Sequence, residues 1–211
     1  TMLQVGQQDD KLVVLVGDIS HNILQPYAKA FPKRYYNVGI MEQCIVGMAA
    51  GLALSGLRPV VHTITPFLVE RCYEQLKLDF AYQKLGGVMI GVGGAFDYAG
   101  LGCSHHSYAA CQLVSTIPTS LVFNPGSPKE FRQLFMQVYK LPRLSYFHLP
   151  SEPHGADVGD VEVGKAVTIQ EGDRCTIVAV GPQLRTALEA DIKDAKIIYL
   201  HTLKPRPKIE G

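Results

Sequence analysis

The chain has 211 residues, is 47% hydrophobic, and sets 20 Lys and Arg against 19 Asp and Glu for a net charge of +1. That is ample material for a buried core, and charge this evenly spread lacks the basic stripe of a nucleic-acid binder. No stretch approaches the ~18 consecutive apolar residues of a membrane span, and Thr1-Met2-Leu3-Gln4 lacks the basic-then-apolar pattern of a signal peptide, so a cytoplasmic protein is expected.

In chain order, residues 12–16 form a short β-branched run that reads as a strand, and 42–54 read as a helix. A strand at 60–64, a helix at 67–83, a strand at 88–92, a helix at 106–116, a strand at 120–123, a helix at 129–139 and a strand at 144–149 follow. Several of the helices open on Pro, Ser or Thr, as helix starts favour. Strand and helix alternate and the strands are apolar on both faces, which predicts a doubly wound α/β domain with a mostly parallel sheet over residues 1–150. The stretch Pro150-Ser151-Glu152-Pro153-His154-Gly155 is too polar and Pro-rich to continue a core, so residues 151–162 read as a linker. A second, smaller α/β unit is expected over 163–211, with strands at 163–169, 175–180 and 196–200 and a helix from Gly181 to about Ala190. Some fifty residues are thin for such a unit, which predicts that further C-terminal sequence belongs to it.

Cys44, Cys72, Cys103, Cys111 and Cys175 are odd in number and form no CxxC pair, which disfavours a zinc site and suggests buried free thiols in a reducing compartment. No metal site is expected on this chain.

Three strings carry chemistry. In Asn37-Val38-Gly39-Ile40-Met41-Glu42-Gln43, a carboxylate falls in the first turn of a helix whose next residues are small and apolar. Complementing the helix dipole accounts for such a carboxylate by itself; a functional acid near low-dielectric surroundings is the other reading. Thr63-Ile64-Thr65-Pro66-Phe67-Leu68-Val69-Glu70-Arg71 follows a strand and opens a helix. Phe67 reads as core or as an aromatic shelf, and Arg71 as an anion ligand or an intersubunit salt-bridge partner. Gly100-Leu101-Gly102-Cys103-Ser104-His105-His106-Ser107 precedes Ile117-Pro118 and brings a histidine pair that suits proton transfer or oxyanion contact, with capping or solvated side chains as the alternative.

In this order and spacing the three strings resemble the transketolase family. Gly39 to Gln43 is similar to its G-I-x-E-Q/H segment, 63–75 to its aromatic T-F-x-x-F-x-x-G-R segment with Ile64 in place of an aromatic, and 100–107 to its G-x-G-x-T/S-H string. The resemblance implies thiamine diphosphate as cofactor, bound by Glu42, Phe67, Ile40, Ile64 and Asp18, with Ser104, His105, His106 and Arg71 towards substrate. It makes Glu42 the carboxylate on N1′ of the aminopyrimidine, which promotes loss of the thiazolium C2 proton. Burial suits that role, since it favours a carboxyl that holds a proton part of the time.

Nowhere does the chain contain the G-D-G-x…N string that holds magnesium and diphosphate in these enzymes. The resemblance therefore implies one subunit of a split enzyme, a heterodimer or heterotetramer whose partner brings the diphosphate-binding domain and the Mg2+ ligands. Sugar-phosphate members also place an arginine soon after the strand equivalent to 145–149, for a bidentate phosphate grip; here Leu149-Pro150-Ser151-Glu152 follows. Either the substrate is not a usual sugar phosphate, or Arg71, His154 or the partner holds the anion. The implied reaction is transfer of a two-carbon ketol unit from a ketose-type donor to an aldehyde. A 2-oxo-acid dehydrogenase or decarboxylase beta-type subunit, a deoxyxylulose-phosphate-synthase-like enzyme, and a non-catalytic partner module are the alternatives.

Overall fold

The computed structural model describes residues 1–209; Glu210 and Gly211, the last two residues of the predicted second unit, lie outside it. Helix α1 (Met2–Gln8) leads into β1 (Leu12–Val16), α2 (His21–Ala30), β2 (Tyr35–Asn37), α3 (Glu42–Leu54) and β3 (Arg58–Ile64). Next come α4 (Thr65–Val69), a short α5 (Tyr73–Gln75) running into a π-helical stretch at Leu76–Tyr82, β4 (Gly87–Val92) and α6 (Ala110–Thr116). Strand β5 (Leu121–Phe123), α7 (Pro128–Val138) and β6 (Leu144–Leu149) complete the first unit. Beyond it lie β7 (Val167–Gln170), β8 (Cys175–Val180), α8 (Leu184–Glu189), β9 (Ala195–Leu200) and β10 (Thr202–Lys204).

Among the described residues the main sheet has seven strands in the order β10-β5-β6-β4-β3-β1-β2, parallel throughout except for the antiparallel β10–β5 pair. This is the mostly parallel, doubly wound sheet that the apolar runs predict. All five residues of β1 are buried, as a strand with helices over both faces requires. Alternation along the strands sorts the core into two layers. Val13, Leu15, Val61, Met89 and Tyr146 pack under α3, α4 and α6, while Val14, Val60, Val88, Phe123 and Phe147 pack with Leu24, Tyr27 and Phe135 of α2 and α7.

The helix predicted over 67–83 is broken. Backbone turn residues 70–72 separate α4 from α5, so Arg71 leaves helical geometry and turns back across the N-terminus of α3. The helix predicted from His106 starts only at Ala110, because Ser107 is held by the preceding loop: its hydroxyl donates to Gly93 O at 2.9 Å and its N–H to Ala95 O at 2.8 Å. The strand predicted at 163–169 begins at Val167. Composition and pattern alone do not show α1, α2, β2 or β10.

Strands β7, β9 and β8 form a second sheet, yet β10 returns to pair with β5 of the first. Residues 151–162 hold no helix or strand, and they lie along α7 through Lys129–Asp157, Gln133–Asp160 and Gln137–Val161 hydrogen bonds. Where the two sheets meet, Glu130 is buried and accepts from Tyr199 Oη, Ser127 Oγ and the Gly126 N–H, with His154 Nε2 at 2.7 Å. A buried carboxylate is tolerated only with such full coordination. The cysteines are free, but Cys44, Cys103 and Cys175 are exposed and Cys111 is half-buried; only Cys72 fits the expectation of buried thiols. Among the described residues no helix is long and apolar enough to cross a membrane.

Candidate active site

Glu42 is the first residue of α3 and only 2% exposed. The turn before it is built by Asn37, whose Oδ1 accepts the N–H groups of Asp18 at 3.0 Å and Gly39 at 3.1 Å. Gly39 itself sits at φ +79°, a left-handed conformation in which a side chain is strained. One asparagine thus ties the end of β1 to the turn that aims Glu42 inward.

Arg71 donates from Nη1 to Glu42 Oε2 at 2.6 Å. Its guanidinium also lies over the Phe67 ring, 4.2 Å from the centroid. The cation expected to serve substrate or a neighbouring subunit is therefore engaged inside the chain. No hydrogen bond from the described residues reaches the other carboxylate oxygen, Oε1. A buried carboxylate with one oxygen held by a guanidinium and the other open is an acceptor waiting for an external N–H or O–H.

Phe67 stands on α4 and meets the His105 ring edge-on at a centroid distance of 5.1 Å. His105 Nδ1 lies 3.0 Å from Ser104 Oγ, and Tyr98 flanks the ring at 6.5 Å. The backbone of residues 93–107 that carries them is pinned by Ser107 at one end. At the other, the Asp97 carboxylate accepts from the N–H groups of Gly94 at 3.0 Å and Ser151 at 2.7 Å. His106 packs edge-on against Phe96 at 5.0 Å, and its Nε2 is buried without a partner among the described residues.

Glu42, Arg71, Phe67, His105 and Ser104 thus form one contiguous group at the C-terminal edge of the parallel sheet, where open α/β sheets place their sites. The other expected residues stand around it. Ile64 ends β3 and is half-buried, while Ile40 precedes α3 and is 70% exposed. Asp18 is exposed at the end of β1, and its carboxyl is held below the usual range mainly by the Asn37 amide, with His21 adding to the effect. Sequence reasoning gives no role to Asn37, Thr65, Tyr146 or His148. Polar residues at the ends of apolar strands are the only signal that marks them.

Among the described residues no group of three or more His, Cys, Asp or Glu side chains is arranged to hold a metal ion. A cavity of about 460 Å³ opens on the other face of the sheet, lined by Ile23, Leu24, Tyr27, Ile90 and Leu149. Its polar feature is His62, which has Ser20 Oγ at 2.7 Å from Nε2 and the Ile90 carbonyl at 3.1 Å from Nδ1. Glu42, Phe67 and His105 line none of it, and the convergence of titratable and aromatic groups makes the Glu42 cluster the better candidate site.

A parallel sheet with a buried helix-start carboxylate and an aromatic shelf at its C-terminal edge defines a cofactor- or substrate-binding α/β unit. The chain belongs to the transketolase family: residues 1–152 match the family described as "Transketolase, pyrimidine binding domain". It is 36% identical over 210 residues to the "Uncharacterized 33.6 kDa protein in fasciation locus" of Rhodococcoides fascians, covering 97% of this chain and 66% of that protein. It is 30% identical over 216 residues to an apulose-4-phosphate transketolase subunit of Phocaeicola vulgatus, covering 97% of this chain and 69% of that one. Among solved structures it resembles "Split gene transketolase, inactive beta4 tetramer", with a TM-score of 0.82 and 29% identity over 97% of this chain and 69% of that one. The chain thus spans about two thirds of the length of these relatives.

Proposed function

We propose that this chain is the pyrimidine-binding half of a thiamine-diphosphate-dependent, transketolase-like enzyme. In this reading it transfers a two-carbon ketol unit from a ketose-type donor to an aldehyde. The observation that carries the proposal is the buried Glu42 carboxylate, held by Arg71 through one oxygen and open at the other, beside Phe67 and His105. That donor set fits an aminopyrimidine: an acceptor for a ring N–H, with a flat apolar surface nearby. Bound there, thiamine diphosphate would supply the carbon nucleophile that carries the two-carbon unit.

The chain's own residues would do the rest. Glu42 Oε1 accepts the pyrimidine N1′–H, and Arg71 fixes the carboxylate's rotamer through Oε2. Phe67, Ile40 and Ile64 wall the ring. His105, steadied by Ser104, presents an imidazole to the oxygens of donor and acceptor, where it can donate a hydrogen bond to developing negative charge or move a proton. Asp18 at the end of β1 would border the cofactor, and His106 would serve the substrate beside His105.

The diphosphate and Mg2+ ligands are assigned to a partner subunit with a diphosphate-binding domain, in a cytoplasmic heterodimer or heterotetramer. Two features support a partner. The relatives are named as a transketolase subunit and a split-gene transketolase, and exposed large apolar side chains stand near the cluster: Ile40 and Met41 directly precede Glu42, and Phe96 packs on His106 and Tyr108. So much apolar surface around one site marks a surface that another chain covers.

The test is co-expression with a chain that carries the G-D-G-x…N string, followed by measurement of thiamine diphosphate binding and donor cleavage. Glu42→Ala is expected to lower turnover by a factor on the order of 10²–10⁴, the usual contribution of a positioned acid or base. Turnover unchanged in that variant contradicts the assignment.

A further inference from the structure

Strand β6 ends at the edge where the Glu42 cluster lies, and its alternation puts Tyr146 and His148 on the same face. Tyr146 is fully buried, and its hydroxyl stands 2.8 Å from His148 Nδ1, with Thr65 of α4 as its other neighbour. His148 is 6% exposed, and burial pulls its pKa down to about 4, so at neutral pH the imidazole is uncharged. Burial pushes the tyrosine hydroxyl well above its usual range, so it keeps its proton and can donate to Nδ1. We assign the tautomer in which Nδ1 accepts and the ring proton sits on Nε2.

That Nε2–H has no hydrogen-bond partner among the described residues, and it is not one of the buried atoms left without a partner. It lies against Gly94, where an added Cβ would come within 2.8 Å of it. The next residues of that loop hold Tyr98 against His105. A neutral imidazole nitrogen therefore stands between the end of β6 and the loop bearing the histidine of the candidate site. The charge that acts on His148 from this loop is the carboxylate of Asp97.

The two side chains of this chain that the sequence offers as an anion grip are engaged elsewhere. Arg71 is spent on Glu42 and Phe67. His154 is buried at the junction of the two sheets on Glu130. At the end of β6 the chain offers an uncharged imidazole beside a carboxylate.

We propose that His148 is a specificity-determining residue of this site: its Nε2–H donates to a hydroxyl or carbonyl oxygen of an unphosphorylated aldehyde acceptor, and Asp97 disfavours phosphorylated ones. The inference rests on the ketol-transfer reading above and names the acceptor class for it. A phosphate dianion gains most from charged, forked donors and little from one neutral N–H next to a carboxylate, whereas a hydroxyl is well served by that N–H.

The test uses the complex of this chain with its diphosphate-binding partner, thiamine diphosphate and magnesium. With β-hydroxypyruvate as donor, kcat/KM is compared for D-glyceraldehyde and D-glyceraldehyde 3-phosphate. Wild type is expected to favour the unphosphorylated aldehyde by about tenfold, the upper end of what one neutral hydrogen bond contributes. His148→Gln, which still offers an N–H, retains that preference, and His148→Arg narrows or reverses it. His148→Ala raises the acceptor KM while cleavage of the short donor is unchanged, a split that general misfolding would not produce.

Wild-type preference for the phosphorylated aldehyde, or a preference indifferent to His148→Arg, overturns the proposal. Absence of any donor cleavage by the wild-type complex counts instead against the ketol-transfer reading. In that case imidazole 15N spectra of the same complex still decide the matter: a neutral Nε2–H tautomer for His148 that responds to D-glyceraldehyde and not to inorganic phosphate upholds the proposal. A response to phosphate alone, or to neither, refutes it.

Discussion

Arg71→Leu isolates what holds the Glu42 carboxylate in place. The substitution removes the 2.6 Å hydrogen bond to Oε2 and the guanidinium over Phe67, and leaves an apolar side chain on the same backbone. Breaking a fully buried ion pair costs about 3–5 kcal/mol, because the surviving charge has no counterpart. Here Glu42 is buried but the Arg71 side chain is 42% exposed, so water already screens the pair and about 2 kcal/mol is expected. Urea denaturation followed by circular dichroism reads this directly: with a slope of about 2 kcal/mol per molar, the midpoint falls by about 1 M. Glu42→Gln alone strands no buried charge and should cost about 1 kcal/mol. The double variant should lose less than the two singles together, with a coupling of about 1 kcal/mol or more. Additive losses, with a coupling below about 0.5 kcal/mol, would refute the view that Arg71 stabilises the chain by neutralising Glu42.

His148 has a folded pKa of about 4 against an ordinary histidine value of 6.5, so protonation favours the unfolded chain. Its contribution is complete above about pH 6.5 and is lost as the pH falls towards 4, amounting to about 3 kcal/mol at most. Denaturation midpoints measured from pH 7 to 4 should fall with a slope that His148→Gln flattens; an identical slope in that variant contradicts the assignment. Gly6→Ala places a Cβ within 2.7 Å of the Phe31 and Tyr27 rings, and overpacking of this kind should destabilise by about 1–3 kcal/mol in the same assay. Glu130→Leu removes the acceptor shared by Tyr199, His154, Ser127 and Gly126. Proteolytic cleavage within 151–162 should then accelerate by about tenfold or more, since each stranded buried donor costs about 1–3 kcal/mol. Unchanged cleavage rates would mean that the two sheets are held together by other contacts.

The parts of the fold legible in the sequence are those that one physical signal decides. Residues 12–16, 88–92 and 144–149 are apolar on both faces, and only a covered parallel sheet accommodates such runs. The elements that pattern does not reveal lack that signal. Helix α2 carries Pro26 in its interior and exposes Ile23 at 80%, so propensity argues against a helix there even though Leu24 and Tyr27 bury one face of it. Strands β2 and β10 are three residues each at the two edges of the sheet, defined by their neighbours more than by their own residues. The break after Val69 follows from a tertiary contact, the reach of Arg71 back to Glu42, which local pattern does not encode.

The same distinction separates what is and is not readable in the site. Glu42, Phe67 and His105 occur in strings whose order and spacing single them out as candidates, and the fold brings them together through Arg71 and ring contact. How Arg71, Tyr146 and His148 are used depends on where side chains end up. In the sequence Arg71 is a candidate for the substrate's anion, yet in the fold it pairs with the buried Glu42 carboxylate, a burial that demands a counter-charge. Once Arg71 is bound there, the end of β6 in the proposed site is left with the neutral imidazole of His148 and the carboxylate of Asp97. In the proposed site, introducing a guanidinium at position 148 is therefore expected to alter which acceptor is used while leaving donor cleavage in place. If donor cleavage collapsed together with the preference, the two functions would not be separable in the way this arrangement requires.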